Sequence, residues 1–346
     1  MTRRLTALLL GLVLLLSPLC LTARAEEITF SDVPERHWAH DEILRAAHVG
    51  LIQGVGKGRF GLGETMNRAQ YATLLCRFMG WELLSPAKGS FSDNQNPNSW
   101  YYSVIETAFI HGALFITPGS ACHPYEAITR EEMSTSLVRA LGYQSLSGIV
   151  QDDCPFTDVV TNRGYIALAY RMGLVRGVGE RAFDPSGTCT REQAACVLLR
   201  TYDRMDVELV SGGSDMAPAD AVEAAAYTGD GTPVPLSPRA PLETVYAAAV
   251  EAGSGGAVLL HTAPFAQRVK DGQADEGRVI SQAQLDAYLA NKTTQVYRSA
   301  RYESSYLIHP EADGSSTVVW YETSTDLTEK LDLCRLLGVT GVFKAD

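Results

Sequence analysis

The sequence predicts a multidomain chain: a mostly α array of three helix-turn-helix repeats, followed by a small α/β domain. Three observations predict this. One five-residue pattern occurs three times, as Met66-Asn67-Arg68-Ala69-Gln70, Ile128-Thr129-Arg130-Glu131-Glu132 and Cys189-Thr190-Arg191-Glu192-Gln193, with the arginines 62 and 61 residues apart. A Phe-Ser/Thr-Asp triplet stands ahead of each copy, at Phe30, Phe91 and Phe156. From Pro241 onward, helical spacing gives way to short apolar strands alternating with helices. Recurrence at a fixed long period marks an array of like modules.

Each five-residue copy reads as a helix start. A Thr or Asn stands three residues before a Glu or Gln, which is the capping box: each side chain satisfies a backbone N–H at the helix end. Each arginine then takes the first helical position. A cation there, beside open N–H groups and the positive end of the helix dipole, suits an anion. The plain alternative is three well-capped helices carrying solvated arginines.

With 346 residues, two domains or an array plus a domain is the expectation. A hydrophobic content of 46% supports a sizeable core. The net charge of −11, without a long basic run, makes nucleic acid a poor partner and argues against electrostatic attachment to a membrane.

The amino end reads as a signal peptide, residues 1–25. Arg3 and Arg4 supply the charge, Leu5 to Leu16 the apolar run, and Ala23-Arg24-Ala25 the small-x-small cleavage site, so the mature chain begins at Glu26 and is exported. The rival is an uncleaved anchor, but the apolar run is short for a membrane span. Cys20 as a lipidation site is disfavoured by the bulky Leu19 before it. The remaining cysteines, Cys76, Cys122, Cys154, Cys189, Cys196 and Cys334, form no Cys-x-x-Cys pair, so no metal site is expected. Export permits disulfides. The cysteines do not recur at matching repeat positions, however, and buried free thiols are expected.

Repeat one spans residues 26–85, repeat two 86–148 and repeat three 149–205. In each, the opening triplet leads into a short amphipathic helix, a Gly-rich turn and the capped helix. Ile43, Ala47 and Leu51 share one face of the first helix of repeat one, and Tyr71, Leu74, Leu75 and Phe78 one face of its second. Met133, Leu137, Ala140 and Leu141 match in repeat two, as do Ala194, Val197, Leu198 and Thr201 in repeat three. The turns Gly50-Leu51-Ile52-Gln53-Gly54 and Gly173-Leu174-Val175-Arg176-Gly177 permit positive φ and close backbone approach. Repeat two has Gly112-Ala113-Leu114-Phe115-Ile116, without the second glycine. Two helices cannot bury their apolar faces alone, so the repeats must pack on one another.

These motifs resemble the S-layer homology domain over about residues 28 to 205. The specific combination is Phe-x-Asp-Val with a downstream Trp, Gly-x-x-x-Gly, then Phe-x-Pro and Thr-Arg-Ala/Glu-Glu; Phe183-Asp184-Pro185 and Thr190-Arg191-Glu192 carry the last part. Phe60-Gly61-Leu62 lacks the proline, and Cys122-His123-Pro124 lacks the phenylalanine. The resemblance implies a pseudo-threefold bundle that binds secondary cell-wall polysaccharide, often through a pyruvylated sugar, in grooves between units. A pyruvate ketal is a carboxylate on a sugar, and arginine offers it a charge-assisted, two-pronged contact. By position, Arg68, Arg130 and Arg191 are the carboxylate candidates, and Trp38, Trp100 and Tyr165 offer flat faces for sugar rings. Asp32, Asp93 and Asp158 are candidates to accept sugar hydroxyls. The alternatives stay open: turn or cap residues for the aspartates, core packing for the tryptophans. The second groove is most in doubt, at Gly112.

Residues 206–241 read as a linker, with Ser211-Gly212-Gly213-Ser214 and the proline-rich run from Thr232 to Pro238, and one or two helical turns within Asp220 to Tyr227. Residues 242–346 read as the α/β domain: helices at Leu242 to Ala252, Gln282 to Asn291 and Leu327 to Leu337, strands at Ala257 to His261, Thr294 to Tyr297, Ser304 to Ile308, Thr317 to Tyr321 and Val339 to Phe343, and a hairpin turn at Asp313-Gly314. This part resembles the closing portion of a family 18 glycoside hydrolase, a partial TIM barrel, through Gly277-Arg278-Val279-Ile280-Ser281, Val318-Val319-Trp320-Tyr321-Glu322 and Lys330-Leu331 to Val342. A closed barrel needs about 250 residues. The family's Asp-x-x-Asp-x-Asp-x-Glu acid motif has no match. The nearest miss, Asp203-Arg204-Met205-Asp206-Val207-Glu208, reads as a solvated helix end. Glycoside cleavage usually needs paired carboxyl groups. Glu303, Glu322 and Asp326 read more simply as surface charges, because nothing in the pattern marks burial or a partner.

Two functional readings follow. The first is an exported, non-enzymatic surface protein of the bacterial cell wall or S-layer, without cofactor or metal. Its partners would be secondary cell-wall polysaccharide and peptidoglycan-associated glycan, with no nucleic acid and no membrane after signal cleavage, and it would display a non-catalytic tail. The second is a wall-anchored glycosidase remnant or half-barrel acting on chitin or peptidoglycan glycan with a partner chain. Self-assembly into a surface lattice is weaker, since the tail is small for a lattice body.

Overall fold

The computed structural model describes residues 28–226, 235–299 and 301–345. The signal peptide, its cleavage site and residues 232–234 of the proline-rich run lie outside these residues.

Each repeat contributes two helices. They are α1 (His40–His48) and α2 (Arg68–Phe78), α3 (Tyr102–Ile110) and α4 (Arg130–Ala140), then, after the short α5 (Gln144–Ser147), α6 (Arg163–Arg171) and α7 (Arg191–Met205). Full capping boxes form at Asn67 with Gln70 and at Thr129 with Glu132; at the third start the Gln193 side chain accepts from the Thr190 N–H (3.1 Å), while the Thr190 hydroxyl makes no hydrogen bond. The first helices carry no side-chain cap. The turns behave as the glycines require: Gly50, Gly112 and Gly173 take φ of +80°, +74° and +69°. A Cβ at Gly54 would meet the Arg59 carbonyl at 2.5 Å, so that position needs a bare backbone.

The repeats are joined through the residues just before the caps. The Met66 N–H donates to the Cys189 carbonyl (2.9 Å), the Ile128 N–H to the Met66 carbonyl (2.9 Å), and the Cys189 N–H to the Ile128 carbonyl (3.1 Å). Three buried apolar residues thus close a ring of backbone hydrogen bonds across the three repeats. A second set lies just outside it: the Arg68, Arg130 and Arg191 N–H groups donate to the carbonyls of Glu126, Gly187 and Glu64. Each helix start is therefore sealed by a loop of another repeat. This corrects the expectation of open N–H groups there. The first orphan donor of each helix is thus used, and the second is used as well in repeats one and two, where the Ala69 and Glu131 N–H groups donate to the Pro124 and Pro185 carbonyls.

The tail holds two sheets. Four parallel strands run in the order β1 (Val210–Gly213), β10 (Gly341–Ala345), β3 (Ala257–His261), β2 (Val222–Ala224). An antiparallel sheet is inserted between β3 and β10. It contains β4 (Phe265–Lys270), β5 (Gln273–Ala274), β6 (Arg278–Val279), β7 (Gln295–Ser299), β8 (Ser304–Pro310) and β9 (Ser316–Tyr321). Helices α8 (Leu242–Ala252), α9 (Gln282–Ala290) and α10 (Ser324–Leu336) complete it. The hairpin turn forms, with Gly314 at φ +81°.

Residues 206–241 differ from the linker reading. Val210–Gly213 and Val222–Ala224 are strands of the parallel sheet, and no helical turn forms at 222–224. Helix α7 also packs on α10. Arg204 Nη1 donates to the Leu336 carbonyl (3.0 Å), Arg335 Nε to the Val207 carbonyl (2.9 Å) and the buried Tyr143 hydroxyl to the Glu329 carbonyl (3.0 Å). One contiguous apolar core runs from the repeats into the tail. A Gly-Ser segment looks flexible by composition, but parallel pairing with β10 recruits its backbone. The six described cysteines are free and buried. Burial pushes the Cys122, Cys189 and Cys334 thiols up to about 12.

Candidate functional site

The candidate residues sort into three kinds of place. The aspartates are structural clamps. Asp32 accepts from the N–H groups of Phe60, Gly61 and Leu62 (2.7, 2.8 and 3.1 Å), Asp93 from Cys122 and His123 (both 2.8 Å), and Asp158 from Phe183 and Asp184 (2.9 and 2.8 Å). Each ties its repeat's opening triplet to the loop before the capped helix. Burial acts to raise the Asp32 and Asp93 pKa values, but the backbone donors outweigh it and both are lowered. The Phe183 and Asp184 donors lower Asp158 as well.

The tryptophans are on the surface, against the core-packing alternative: Trp38 is 58% exposed and Trp100 54%. Trp100 meets Tyr101 and Tyr125 edge-on. Tyr165 is half-buried and accepts from Arg139 Nη1 at 2.9 Å, so it serves the contact between repeats two and three.

The arginines reach across repeats in one direction. Arg130, of repeat two, donates through Nε to the Phe183 carbonyl (2.8 Å) and through Nη2 to the Arg176 carbonyl (2.7 Å), with its guanidinium 4.6 Å from the Phe183 ring centroid. Arg191, of repeat three, does the same on repeat one, with Nε on the Phe60 carbonyl (2.8 Å), Nη2 on the Gln53 carbonyl, and the Phe60 ring beneath it. Burial lowers the Arg191 pKa; Glu64 offsets this in part and Arg77 adds to it.

Arg68 departs. Its partners on repeat two are carboxylates: Nη1 to Glu126 (2.6 Å), Nε and Nη2 to Glu132 (3.1 and 2.5 Å). Burial opposes its charge, but Glu132 and Glu126 outweigh burial and raise its pKa. The cause lies in the sequence. Where repeats one and three place Phe60 and Phe183, repeat two places Cys122, so no ring is available for stacking. Glu132 also stands where the other caps have Gln.

Two cavities accompany these arginines. The one at Arg130, about 240 Å³, brings Trp38 of repeat one together with Arg130, Arg176 and Arg200, and no carboxylate lines it. The one at Arg68, about 220 Å³, has the apolar walls Leu114, Ile116 and Ile128, with Asn162 rather than Tyr165 as the contribution of repeat three. Arg176 and Arg200 were not among the expected site residues. Arg176 lies inside the Gly-x-x-x-Gly turn, and that position was the available signal.

In the tail, the expectation of surface charges fails. Glu303 is 4% exposed, and Asp326 and Lys330 are fully buried. Arg298 gathers three carboxylates: Glu303 (2.8 Å), Asp326 (2.9 Å) and Glu329 (2.6 Å). Lys330 Nζ pairs with Glu322 Oε1 at 2.5 Å and donates to Ser304 Oγ at 2.9 Å. Burial raises Glu303 to about 7 despite Arg298. It also raises Glu322 and lowers Lys330, against their mutual attraction. Charged residues on a short strand and a helix look solvated when read locally; here Arg298 of β7 and Ser305 of β8 bond to Asp326 of α10, and Ser304 of β8 accepts from Lys330.

An array of helix pairs closed into a ring by backbone hydrogen bonds defines a repeat-built helical module. Residues 29–72 and 155–195 match the S-layer homology domain, so the chain carries S-layer homology units at both ends of the array. Repeat two shares their clamp, cap and ring geometry. Among curated relatives, the exoglucanase XynX of Acetivibrio thermocellus is 28% identical over 190 residues, 52% of this chain and 17% of that protein. The S-layer protein sap of Bacillus anthracis is 28% identical over 184 residues, 52% of this chain and 22% of that protein. The chain thus spans less than a quarter of the length of these relatives. Among solved structures, the Bacillus cereus spore cortex-lytic enzyme SleL aligns with a TM-score of 0.29 at 16% identity, over 36% of this chain and 30% of that one. A chitinase from Chromobacterium violaceum aligns with a TM-score of 0.26 at 16% identity, over 62% of this chain and 68% of that one. At these scores a shared fold does not follow.

Proposed function

We propose that this is a surface protein of the cell wall, held non-covalently on acidic wall polysaccharide by its S-layer homology units. The three repeats act as one pseudo-threefold bundle, a reading supported by the closed ring at Met66, Ile128 and Cys189. Among the described residues, no helix is long and apolar enough to cross a membrane.

The observation that carries the proposal is the Arg130 cavity, where three arginines and an exposed tryptophan meet without a lining carboxylate. A protein of net charge −11 repels an acidic polymer at long range, so a local cation cluster is required for binding. A sugar-borne carboxylate, such as a pyruvate ketal, fits the arginines, and Trp38 offers a face to the ring. The reading extends to Arg191 and Trp100, which stand one repeat on from Arg130 and Trp38 in the sequence. Arg68, already matched by Glu126 and Glu132, contributes little to anion binding.

Arg130→Ala with Arg191→Ala is expected to weaken retention of the full chain on purified wall polysaccharide about tenfold to a hundredfold, from roughly 1.5–3 kcal/mol per charged hydrogen bond. Removing pyruvyl groups from the polysaccharide should have the same effect, and Arg68→Ala should have little. A folded double variant that binds unchanged would refute the assignment.

The tail is read as non-catalytic. Its buried carboxylates Glu303, Glu322 and Asp326, and the partly exposed Glu329, are each held by Arg298 or Lys330. General acid catalysis needs a carboxyl within reach of the glycosidic oxygen, and these are committed inward. The full chain is expected to release no sugar from chitin oligomers or peptidoglycan. Turnover that disappears in Glu322→Gln would restore the glycosidase reading.

A further inference from the structure

We infer that Glu303 is a proton switch in the tail. Protonated, it lets the β7–β8 hairpin stay docked on α8 and α10; ionised, it drives the tip of that hairpin away from them. The switch belongs to the tail alone and does not depend on what the repeats bind.

Three observations carry it. The first is the place of the residue. Glu303 stands at the turn into β8, takes a left-handed φ of +48° and is buried. That φ is uncommon for a residue with a Cβ, and burying a carboxylate is costly, so the position carries two penalties that a glycine would avoid. Strain of this kind gathers at functional and switch positions.

The second is the balance of charge around it. Arg298 of β7 meets Glu303 at 2.8 Å, and the same guanidinium serves Asp326 (2.9 Å) and Glu329 (2.6 Å) of α10. Lys330 of α10 is taken by Glu322, after β9, and the exposed Arg301 lies over the Tyr302 ring. Tyr321 of β9, near Asp326, is kept neutral by burial. One cation therefore meets three carboxylates, and a proton relieves the excess of negative charge. Asp326 keeps its charge, because it also accepts from the Thr323 N–H (3.0 Å), the Thr323 hydroxyl (2.7 Å) and the Ser305 hydroxyl (2.7 Å). Glu329 reaches solvent. Glu303 is buried with Arg298 alone, so the proton goes there. Burial raises its pKa to about 7; Arg298 opposes this, and Glu329 and Asp326 add to it.

The third is what the turn holds. The Leu242 N–H, at the start of α8, donates to the Tyr302 carbonyl (3.3 Å), and the Tyr302 ring lies edge-on to the buried Trp320, with centroids 5.5 Å apart. Strand β7 is the edge of its sheet and is exposed along most of its length, so its tip can swing outward without breaking a ladder on the far side. An ionised Glu303 reaches water by that route, and the movement takes Tyr302 off Trp320 and Leu242. The sign follows from linkage. The docked state holds its proton up to about 7, whereas a released carboxyl gives it up near the ordinary 4.5. Docking is therefore strongest in acid, weakens as pH rises from 4.5, and has lost this contribution above about 7.

The test is hydrogen exchange of the full chain, read by mass spectrometry over β7 and β8 between about pH 5 and about pH 8, and corrected for the chemical exchange rate. The opening constant is expected to rise more than about tenfold from pH 5 to pH 7 and to level off above, because each pKa unit between the two states is a factor of ten. Trp320 emission should change over the same range, and the change should be missing from Trp320→Phe. Glu303→Gln, which keeps the shape of the protonated acid, should hold the hairpin closed, with less than about a twofold change across the range. If that variant does not fold, Glu303→Gly, which suits the left-handed backbone, takes its place. A rise that survives in either folded variant, or opening of the unaltered chain that does not depend on pH, would overturn the inference.

Discussion

Lys330→Met is expected to cost about 3–5 kcal/mol of stability, the largest effect of any single substitution considered for this chain, because it strands a buried carboxylate. Lys330 is fully buried and its ammonium is shared between Glu322 Oε1 and Ser304 Oγ. Glu322 Oε2 has no partner of its own. Without Lys330, the Glu322 carboxylate must either stay charged in an apolar setting or take up a proton, and both are unfavourable. Burial already raises Glu322, so the proton route is the one the variant takes. Replacing both residues, Lys330→Met with Glu322→Leu, should recover most of the loss, since a hydrophobic pair of similar volume is often as stable as the ion pair. Urea unfolding of the single and double variants measures this. A loss below about 1 kcal/mol in the single variant would place the pair with ordinary surface ion pairs and contradict its burial.

Deleting residues 150–205 is expected to leave no cooperatively folded product. Repeat three supplies Cys189, which takes part in two of the three hydrogen bonds of the backbone ring, and both carbonyls that hold Arg130. It also supplies α7, which packs on α1 of repeat one and on α10 of the tail. In a repeat array each unit covers its neighbours' apolar faces; here the ring makes every unit a neighbour of both others. The shortened chain should aggregate, or melt without a sharp calorimetric transition. A soluble monomer with a single sharp transition would show that repeats one and two suffice, and that the ring is incidental to stability.

Several features of the candidate site could not be read from the sequence, and each for a definable reason. The arginines were visible as a set, because three copies of one local motif need no tertiary information. Their inequality was half visible: Cys122 in place of phenylalanine could be read, but what Arg68 does without the ring could not. That depended on Glu126 and Glu132, which lie 58 and 64 residues away in sequence. The aspartates left two readings open. Their hydrogen bonds go to N–H groups 25 to 30 residues downstream, which neither a local turn nor a cap describes, and no local pattern marks such a contact. Exposure of Trp38 and Trp100 runs against the usual packing of tryptophan, and only the placement of neighbouring repeats shows it.

By itself the sequence determined the helix starts, the repeat period, the glycine turns and most strands and helices of the tail. All of these rest on interactions spanning a few residues: a cap reaches three positions, amphipathic spacing repeats within two turns, and a positive φ is a property of one residue. The tertiary structure decided which groups face one another. It sealed the helix starts with loops of other repeats, drew residues 210–213 and 222–224 into a parallel sheet, and buried Asp326 and Lys330 beneath an α/β layer. It also left one groove cationic and another neutral. Charge, exposure and the availability of a backbone donor are settled by neighbours far away in the chain, and local pattern carries no record of them.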